Sequence, residues 1–170
     1  YNVTLLEKED VLGGLSRRLH HTIEGDDIPS YVNELVECVE NHANITVHKQ
    51  ALIVGFAGYK GNFETTILLG PSMEEKKIDH GVMIVATGAT EYQPKEFLYN
   101  ESEQVVTQLE LADMIEDGSV KDPDRVIMIQ CVGSRNEENP NCSRICCQNA
   151  VKNAIALKKA NADTDVFILY

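Results

Sequence analysis

Apolar and polar positions fall into blocks along this chain, and the period of each block predicts an element. Tyr1-Asn-Val-Thr-Leu-Leu6 reads as a strand closed by the acidic Glu7, and Lys8 to Gly14 is rich in turn residues. Pro29 suits a first helical turn. Val32, Leu35, Val36 and Val39 recur at helical spacing, which predicts an amphipathic helix from Pro29 to about His42. Ile45 to Phe56 reads as extended, Ala57 to Asn62 as a turn cluster, and Phe63 to Leu69 as a returning strand. Gly70-Pro71 and the charged Glu74-Glu-Lys-Lys77 read as a solvated loop. Val82 to Ala86 reads as a buried strand ending in Thr87-Gly88. Thr107-Gln-Leu-Glu110 is a capping box for a helix through about Glu116. After the linker Asp122-Pro-Asp124, Arg125 to Gln130 predicts a buried strand, Gln148 to Ala160 a helix, and Asp165 to Tyr170 a last strand, together one βαβ unit. There is no repeat and no low-complexity stretch. Mixed strands and helices predict an α/β protein. The chain opens and closes in strands and has no initiator Met, so it is expected to be a fragment of a longer one.

Bulk properties narrow the classes. A chain of 170 residues with 43% hydrophobic positions can build one ordinary core or parts of two. A net charge of −12 repels nucleic acid and anionic membrane. No signal peptide and no bilayer-spanning apolar run is visible. Five cysteines, four of them clustered, do not make an extracellular disulfide framework, which points to a reducing cytoplasm. Cys38 stands apart within the first helix and is expected to be structural.

The four clustered cysteines are the strongest chemical signal. Cys131, Cys142, Cys146 and Cys147 form a C-x10-C-x3-C-C pattern. They fall in the strand-to-helix loop and first helical turn, where an α/β sheet normally holds a ligand. Soft thiolates favour zinc or an iron–sulfur cluster. Zinc usually takes two short C-x2-4-C clips, absent here. Cys142 and Cys146 are expected to share a helix face, with Cys147 pointing elsewhere, which suits a multi-iron cube better than one tetrahedral ion. A helix N-terminus also favours an anionic thiolate cluster. A zinc staple, a redox dithiol at Cys146-Cys147 and simple packing of buried thiols remain open.

A weaker signal lies near the start. In dinucleotide-binding folds the second strand often ends in Asp or Glu, whose carboxylate accepts hydrogen bonds from ribose hydroxyls. Glu7 holds that position if Tyr1 to Glu7 is the second strand. Gly13 and Gly14 would let the backbone approach a ligand closely. An acidic residue after a strand is more often merely solvated, and Gly-Gly more often merely turns.

The ordered set is more specific. Leu-Leu-Glu7-Lys-x4-Gly13-Gly14, Val85-Ala-Thr87-Gly88 and the block Gln130-Cys131-Val-Gly-Ser-Arg135…Cys142-Ser-Arg-x-Cys146-Cys147 follow one another. This resembles the flavoprotein A subunit of heterodisulfide reductase and its bacterial relatives, including the quinone-interacting oxidoreductase flavoproteins of sulfate reducers. The resemblance implies a FAD-binding dinucleotide fold of the thioredoxin-reductase type, incomplete at its N-terminus, followed by part of a second nucleotide-type βαβ domain. Residues 1–122 would be the partial FAD-binding domain with a hairpin insertion, and 123–170 the start of the second domain. It implies that Glu7 binds the adenosine ribose of FAD, that Gly13 and Gly14 approach the flavin side, that Leu52 and Ile53 meet the adenine through their backbone, and that Thr87 and Gly88 form a turn beside the cofactor. It implies a [4Fe–4S] cluster on Cys131, Cys142, Cys146 and Cys147. The implied role is cytoplasmic electron transfer within an oxidoreductase complex, with other electron-transfer subunits as partners and a homodimer as a further assembly.

Departures from that pattern matter. The first strand and the glycine-rich phosphate loop are missing. Asn41 to Ile45 passes directly into strand, where many members insert a ferredoxin-like segment. The second unit carries cysteines where a pyridine-nucleotide domain would carry G-x-G-x-x-G. His20 and His21 follow the flavin loop and are expected to be loop histidines without a catalytic task, a place near the isoalloxazine being the other reading.

Overall fold

The computed structural model describes every residue from Tyr1 to Tyr170. It is mixed α/β, as the block pattern predicts. The chain divides into two compact units, Tyr1–Arg17 with Ser30–Ala89, and Arg18–Pro29 with Thr90–Tyr170.

The first unit holds two small sheets. β1 (Val3–Leu6) and β2 (Ile45–His48) run parallel, with Val3 opposite Ile45 and Leu6 opposite His48. The crossover between them is α1 (Ile28–Glu40), because parallel neighbours cannot be joined by a tight turn. Its apolar stripe is only partly used, since Val32 is buried while Leu35 is exposed. Cys38 is exposed as well, which corrects the expectation that it packs structurally.

The extended stretch Ile45 to Phe56 is broken at Gln50, whose φ of 51° turns the chain. β3 (Ala51–Tyr59) starts there and runs beyond the expected turn at Ala57. It pairs antiparallel with β4 (Asn62–Leu69), and β4 pairs with β5 (Glu74–His80). The central strand carries the buried side chains Thr65 and Ile67. The expected loop at Glu74–Lys77 is therefore the start of a strand. Its charges hid it, but they suit an outer strand, where they discourage further pairing. Lys77 Nζ reaches Glu64 Oε1 at 2.8 Å, a diagonal cross-strand pair.

The apolar run Val82 to Ala86 is a second correction. It forms no strand, and Val82, Ile84 and Val85 are 77%, 85% and 76% exposed. Hydrophobicity alone does not make a strand. The ladder needs a neighbour, and no strand pairs with this run.

The second unit is the expected βαβ. β6 (Arg125–Ile129) and β7 (Asp165–Leu169) run parallel, joined through α3 (Cys146–Ala160). α3 begins two residues before the predicted Gln148. β6 is buried on one face only: Met128 is in the core, while Ile127 is 58% exposed. Met128, Ala150 and Leu157 form the centre, lined by Leu111, Ile115, Val120, Val126, Ala154 and Val166. α2 (Gln108–Asp117) contributes two of those residues. Buried Asn153 ties α3 to α2, its Nδ2 donating to Gln108 O and Oε1, both at 2.8 Å. Lys158 Nζ donates to Thr164 O at 3.0 Å, close to the helix C-terminus, where a cation is favoured.

The capping box of α2 forms as its sequence predicts. Thr107 Oγ1 accepts from Glu110 N at 3.2 Å, and Thr107 N donates to Glu110 Oε2 at 2.6 Å. Thr107→Ala is expected to cost about 1 kcal/mol of stability, read as a lowered denaturant midpoint at unchanged slope. An unmoved midpoint would show that the box contributes nothing.

Candidate functional site

The cysteine loop is built by backbone strain followed by a free helix end. β6 ends at Ile129, Gln130 N still donates to Leu169 O at 2.8 Å, and Cys131 then turns with φ +62°. Gly133 has φ +72°, and Arg135 and Arg144 are also left-handed, at +57° and +64°. Asn139 fastens the middle of the loop: its N–H donates to Asn136 Oδ1 at 2.7 Å and its Nδ2 to Gly133 O at 3.2 Å. The start of α3 has no side-chain cap. No side chain competes there with an anion for the first N–H groups.

All five cysteines are free thiols. Three of the clustered sulfurs have a polar neighbour outside the set. Arg135 Nη1 donates to Cys131 Sγ at 3.6 Å, Arg144 N donates to Cys142 Sγ at 3.3 Å, and Ser143 Oγ lies 3.3 Å from Cys146 Sγ. Burial pushes the Cys146 thiol up, yet hydrogen bonds from Ser143 and from the backbone at Cys131 and Cys147 hold it below the ordinary thiol value. Cys147 is raised by desolvation and by the charge of Cys146, with smaller contributions from Cys131 and Cys142. The Arg135 guanidinium is raised by its bond to Cys131, and the charges of Cys142 and Cys147 also act on it. The loop thus brings the four sulfurs into one electrostatic neighbourhood.

Two details differ from the predicted arrangement. Cys142 lies in the loop before α3, so it does not share a helix face with Cys146. No three His, Cys, Asp or Glu side chains converge on a point where one metal ion could sit. The donor set of four free thiols beside an uncapped helix start still fits a soft, anionic metal group.

The seven residues expected around FAD all lie in the first unit. Glu7 closes β1, with its N–H on His48 O at 2.9 Å and its carbonyl accepting from Ala51 N at 2.9 Å, so it sits beside the start of β3 with Leu52 and Ile53. Its carboxylate accepts from Glu9 N at 3.0 Å. Gly13 has φ +109°, and a side chain there would meet Val32 Cγ1 and Arg17 Cγ at 3.1 Å. Gly14 faces open space, with nothing within 4 Å of where a side chain would begin, so its backbone is accessible to a ligand. Thr87 and Gly88 are exposed and outside any strand.

The histidines have structural partners. His20 Nε2 lies 2.8 Å from Asp113 Oδ1, and Arg18 spans Asp113 Oδ2 at 2.9 Å and Glu91 Oε2 at 3.0 Å. His21 Nε2 is 3.3 Å from Glu116 Oε2. These pairs fasten Arg18–Pro29 to α2 within the second unit. Burial pushes the Asp113 carboxyl up, but hydrogen bonds from His20 and Arg18 bring it below the usual carboxylate value. A depressed folded value contributes stability that is fully present above the unfolded value of about 3.9, and that is lost as pH falls through the lower folded one. The melting-temperature gap between the native chain and Asp113→Asn is expected to narrow below about pH 4. A gap that widened with acid would refute the sign. Sequence reasoning missed this network because nothing in spacing links Arg18 to residues so far along the chain. It also missed Tyr92, whose ring lies against Gly133.

Fold and site together define an α/β protein of βαβ units whose strand-to-helix loop and first helical turn carry four free thiols. No protein-family model matches the chain. Curated proteins similar to it include A subunits of heterodisulfide reductases. The A subunit of the H2:CoB-CoM heterodisulfide, ferredoxin reductase of Methanothermobacter thermautotrophicus is 42% identical over 57% of this chain and 17% of its own length. The H2/formate-dependent counterpart of Methanococcus maripaludis is 38% identical over the same shares. The iron-sulfur A subunit of the CoB–CoM heterodisulfide reductase of Methanocaldococcus jannaschii is 27% identical over 100% of this chain and 40% of its own length. The chain thus spans between 17% and 40% of these relatives. The last alignment runs over 263 positions, more than this chain contains, so that relative carries stretches this chain passes over. Among solved structures, L-proline dehydrogenase from P. horikoshii matches 98% of this chain and 30% of its own, with a TM-score of 0.48 and 15% identity. The chain is therefore similar to the A subunit of heterodisulfide reductase, as its motifs lead one to expect. No helix is long and apolar enough to cross a membrane.

Proposed function

We propose that the chain is part of a cytoplasmic oxidoreductase subunit that passes electrons between FAD and a [4Fe–4S] cluster, in an assembly with other electron-transfer subunits. The observation that carries this reading is the set of four free thiols gathered between β6 and α3 in a chain similar to the A subunit of heterodisulfide reductase. In this reading residues 1–122 hold the flavin side and 123–170 the cluster side. FAD exchanges electrons in pairs and an iron–sulfur cluster carries them singly. Cys131, Cys142, Cys146 and Cys147 would hold the cluster, with Arg135 offsetting thiolate charge at Cys131. Glu7 would accept ribose hydroxyls, while Gly13, Gly14, Leu52, Ile53, Thr87 and Gly88 would offer backbone to the rest of the cofactor.

Anaerobic purification of the full-length protein tests the reading. Bound FAD, roughly four irons in this motif and acid-labile sulfide are expected. Zinc without sulfide would replace the reading with a zinc-stapled interaction module. Glu7→Ala is expected to weaken FAD binding by about 1.5–3 kcal/mol, roughly ten- to a hundredfold in Kd, by removing charge-assisted hydrogen bonds. Unchanged flavin affinity in a fluorescence titration would move the ribose away from Glu7.

One observation favours a second reading. The lowered Cys146 thiol beside the raised Cys147 thiol is the asymmetry of a dithiol that exchanges with a disulfide. A pyridine-nucleotide–disulfide oxidoreductase of that kind would lose activity on thiol alkylation and show no brown chromophore.

A further inference from the structure

We infer that Gln130 is a positioning residue for the metal group of the cysteine loop, donating its side-chain amide to a cluster sulfur. The inference rests on the cluster reading above. Along β6 the inward positions alternate: Val126 and Met128 face the core, and Gln130 is the next in phase. Gln130 is 7% exposed. Its backbone N–H is used by Leu169 O, but its side-chain Nε2 is buried without any hydrogen-bond partner. It is the one such side-chain atom in the molecule. A buried amide left unpaired is costly, and a leucine would fill the same position without that cost.

The topology says which elements lie next to this donor. In the βαβ unit α3 returns antiparallel to β6 and covers its inward face through Ala150 and Leu157 against Met128. The start of α3 therefore lies over the end of β6. Cys131 follows Gln130 directly, and Cys146 and Cys147 open the helix above it. The unpaired N–H thus belongs to the residue that leads directly into the thiol loop, on the face of β6 that α3 covers. Cysteine sulfurs and bridging sulfides are acceptors, and N–H donors to them favour the more reduced, more negative state of a cluster.

The test uses the full-length, cluster-loaded protein and two variants, Gln130→Leu and Gln130→Glu. Redox titration followed by electron paramagnetic resonance is expected to show a more negative cluster midpoint in both, with iron and sulfide retained. One exchangeable-proton coupling to the reduced cluster is expected to disappear in Gln130→Leu, while those from Arg135 and the Arg144 backbone N–H persist. In the metal-free protein Gln130→Leu is expected to melt no lower than the native chain, because the amide has no partner there. A midpoint unchanged by either variant would overturn this inference alone. A lower melting point for metal-free Gln130→Leu would also overturn it, by showing that the amide serves the protein rather than the metal. A native protein without iron and sulfide would sink the cluster reading and this inference together.

Discussion

Serine in place of Cys146 is expected to strip the full-length protein of most of the iron and acid-labile sulfide that the proposed cluster reading assigns to it, while leaving the second unit folded. Cys146 is a half-buried member of the set and opens α3. Against the effect of burial, hydrogen bonds from Ser143 and the backbone hold its thiol below the ordinary value, and it stands at the uncapped helix start, so it is prepared to be a thiolate. An alkoxide at serine is far harder to form and far less soft, so the metal loses a ligand rather than exchanging one. Cys142→Ser is expected to act in the same direction. The fold tolerates the change, because Cys146 is not among the residues packed into the Met128 core. Iron and sulfide assays on anaerobically purified variants read the effect, with circular dichroism as the folding control. Full iron content in both variants would remove the cysteine loop from the metal chemistry.

The second large effect falls on Gly133. Its φ of +72° lies in the region that costs a side-chain-bearing residue about 1–2 kcal/mol. A Cβ there would also meet the Tyr92 ring at 2.5–2.7 Å, inside any real contact distance. Overpacking of that kind costs about 1–3 kcal/mol. Gly133→Ala is therefore expected to destabilise the second unit by about 2–5 kcal/mol and to lower its melting temperature by at least roughly 10 °C. A double-mutant cycle separates the two causes. In a Tyr92→Ala background only the backbone cost remains, so the same glycine change becomes cheaper by the ring's share. Strict additivity would show that Tyr92 does not constrain the loop.

What could be read from the residues depended on how local the cause was. The capping box at Thr107 needs only four neighbouring residues, and it formed as read. The βαβ from Arg125 to Tyr170 shows its period openly, because α3 and its two strands share one core. β5 escaped notice since an outer strand can be wholly charged, and Glu74-Glu-Lys-Lys77 carries no apolar alternation. Val82 to Ala86 erred the other way. Its apolar run is visible in the sequence, but the lack of a pairing strand is a tertiary fact. The cysteines stood out because four thiols in one loop are rare and chemically loud. Gln130, Tyr92 and Asp113 could not be found that way. Their roles come from burial and from partners distant in sequence.

Asn153 has a kinetic consequence. Its bonds to Gln108 pin α3 to α2 at mid-helix, next to the Ala150–Leu157 core, whereas the first turn at Cys146 is neither capped nor packed as deeply. Amide exchange along α3 is therefore expected to be graded, slowest from Asn153 to Leu157 and fastest at the end that bears the thiols. That end can fray and reclose while the unit stays folded, so half-buried Cys146 can become as open to solvent as Cys142 and Cys147 without global unfolding.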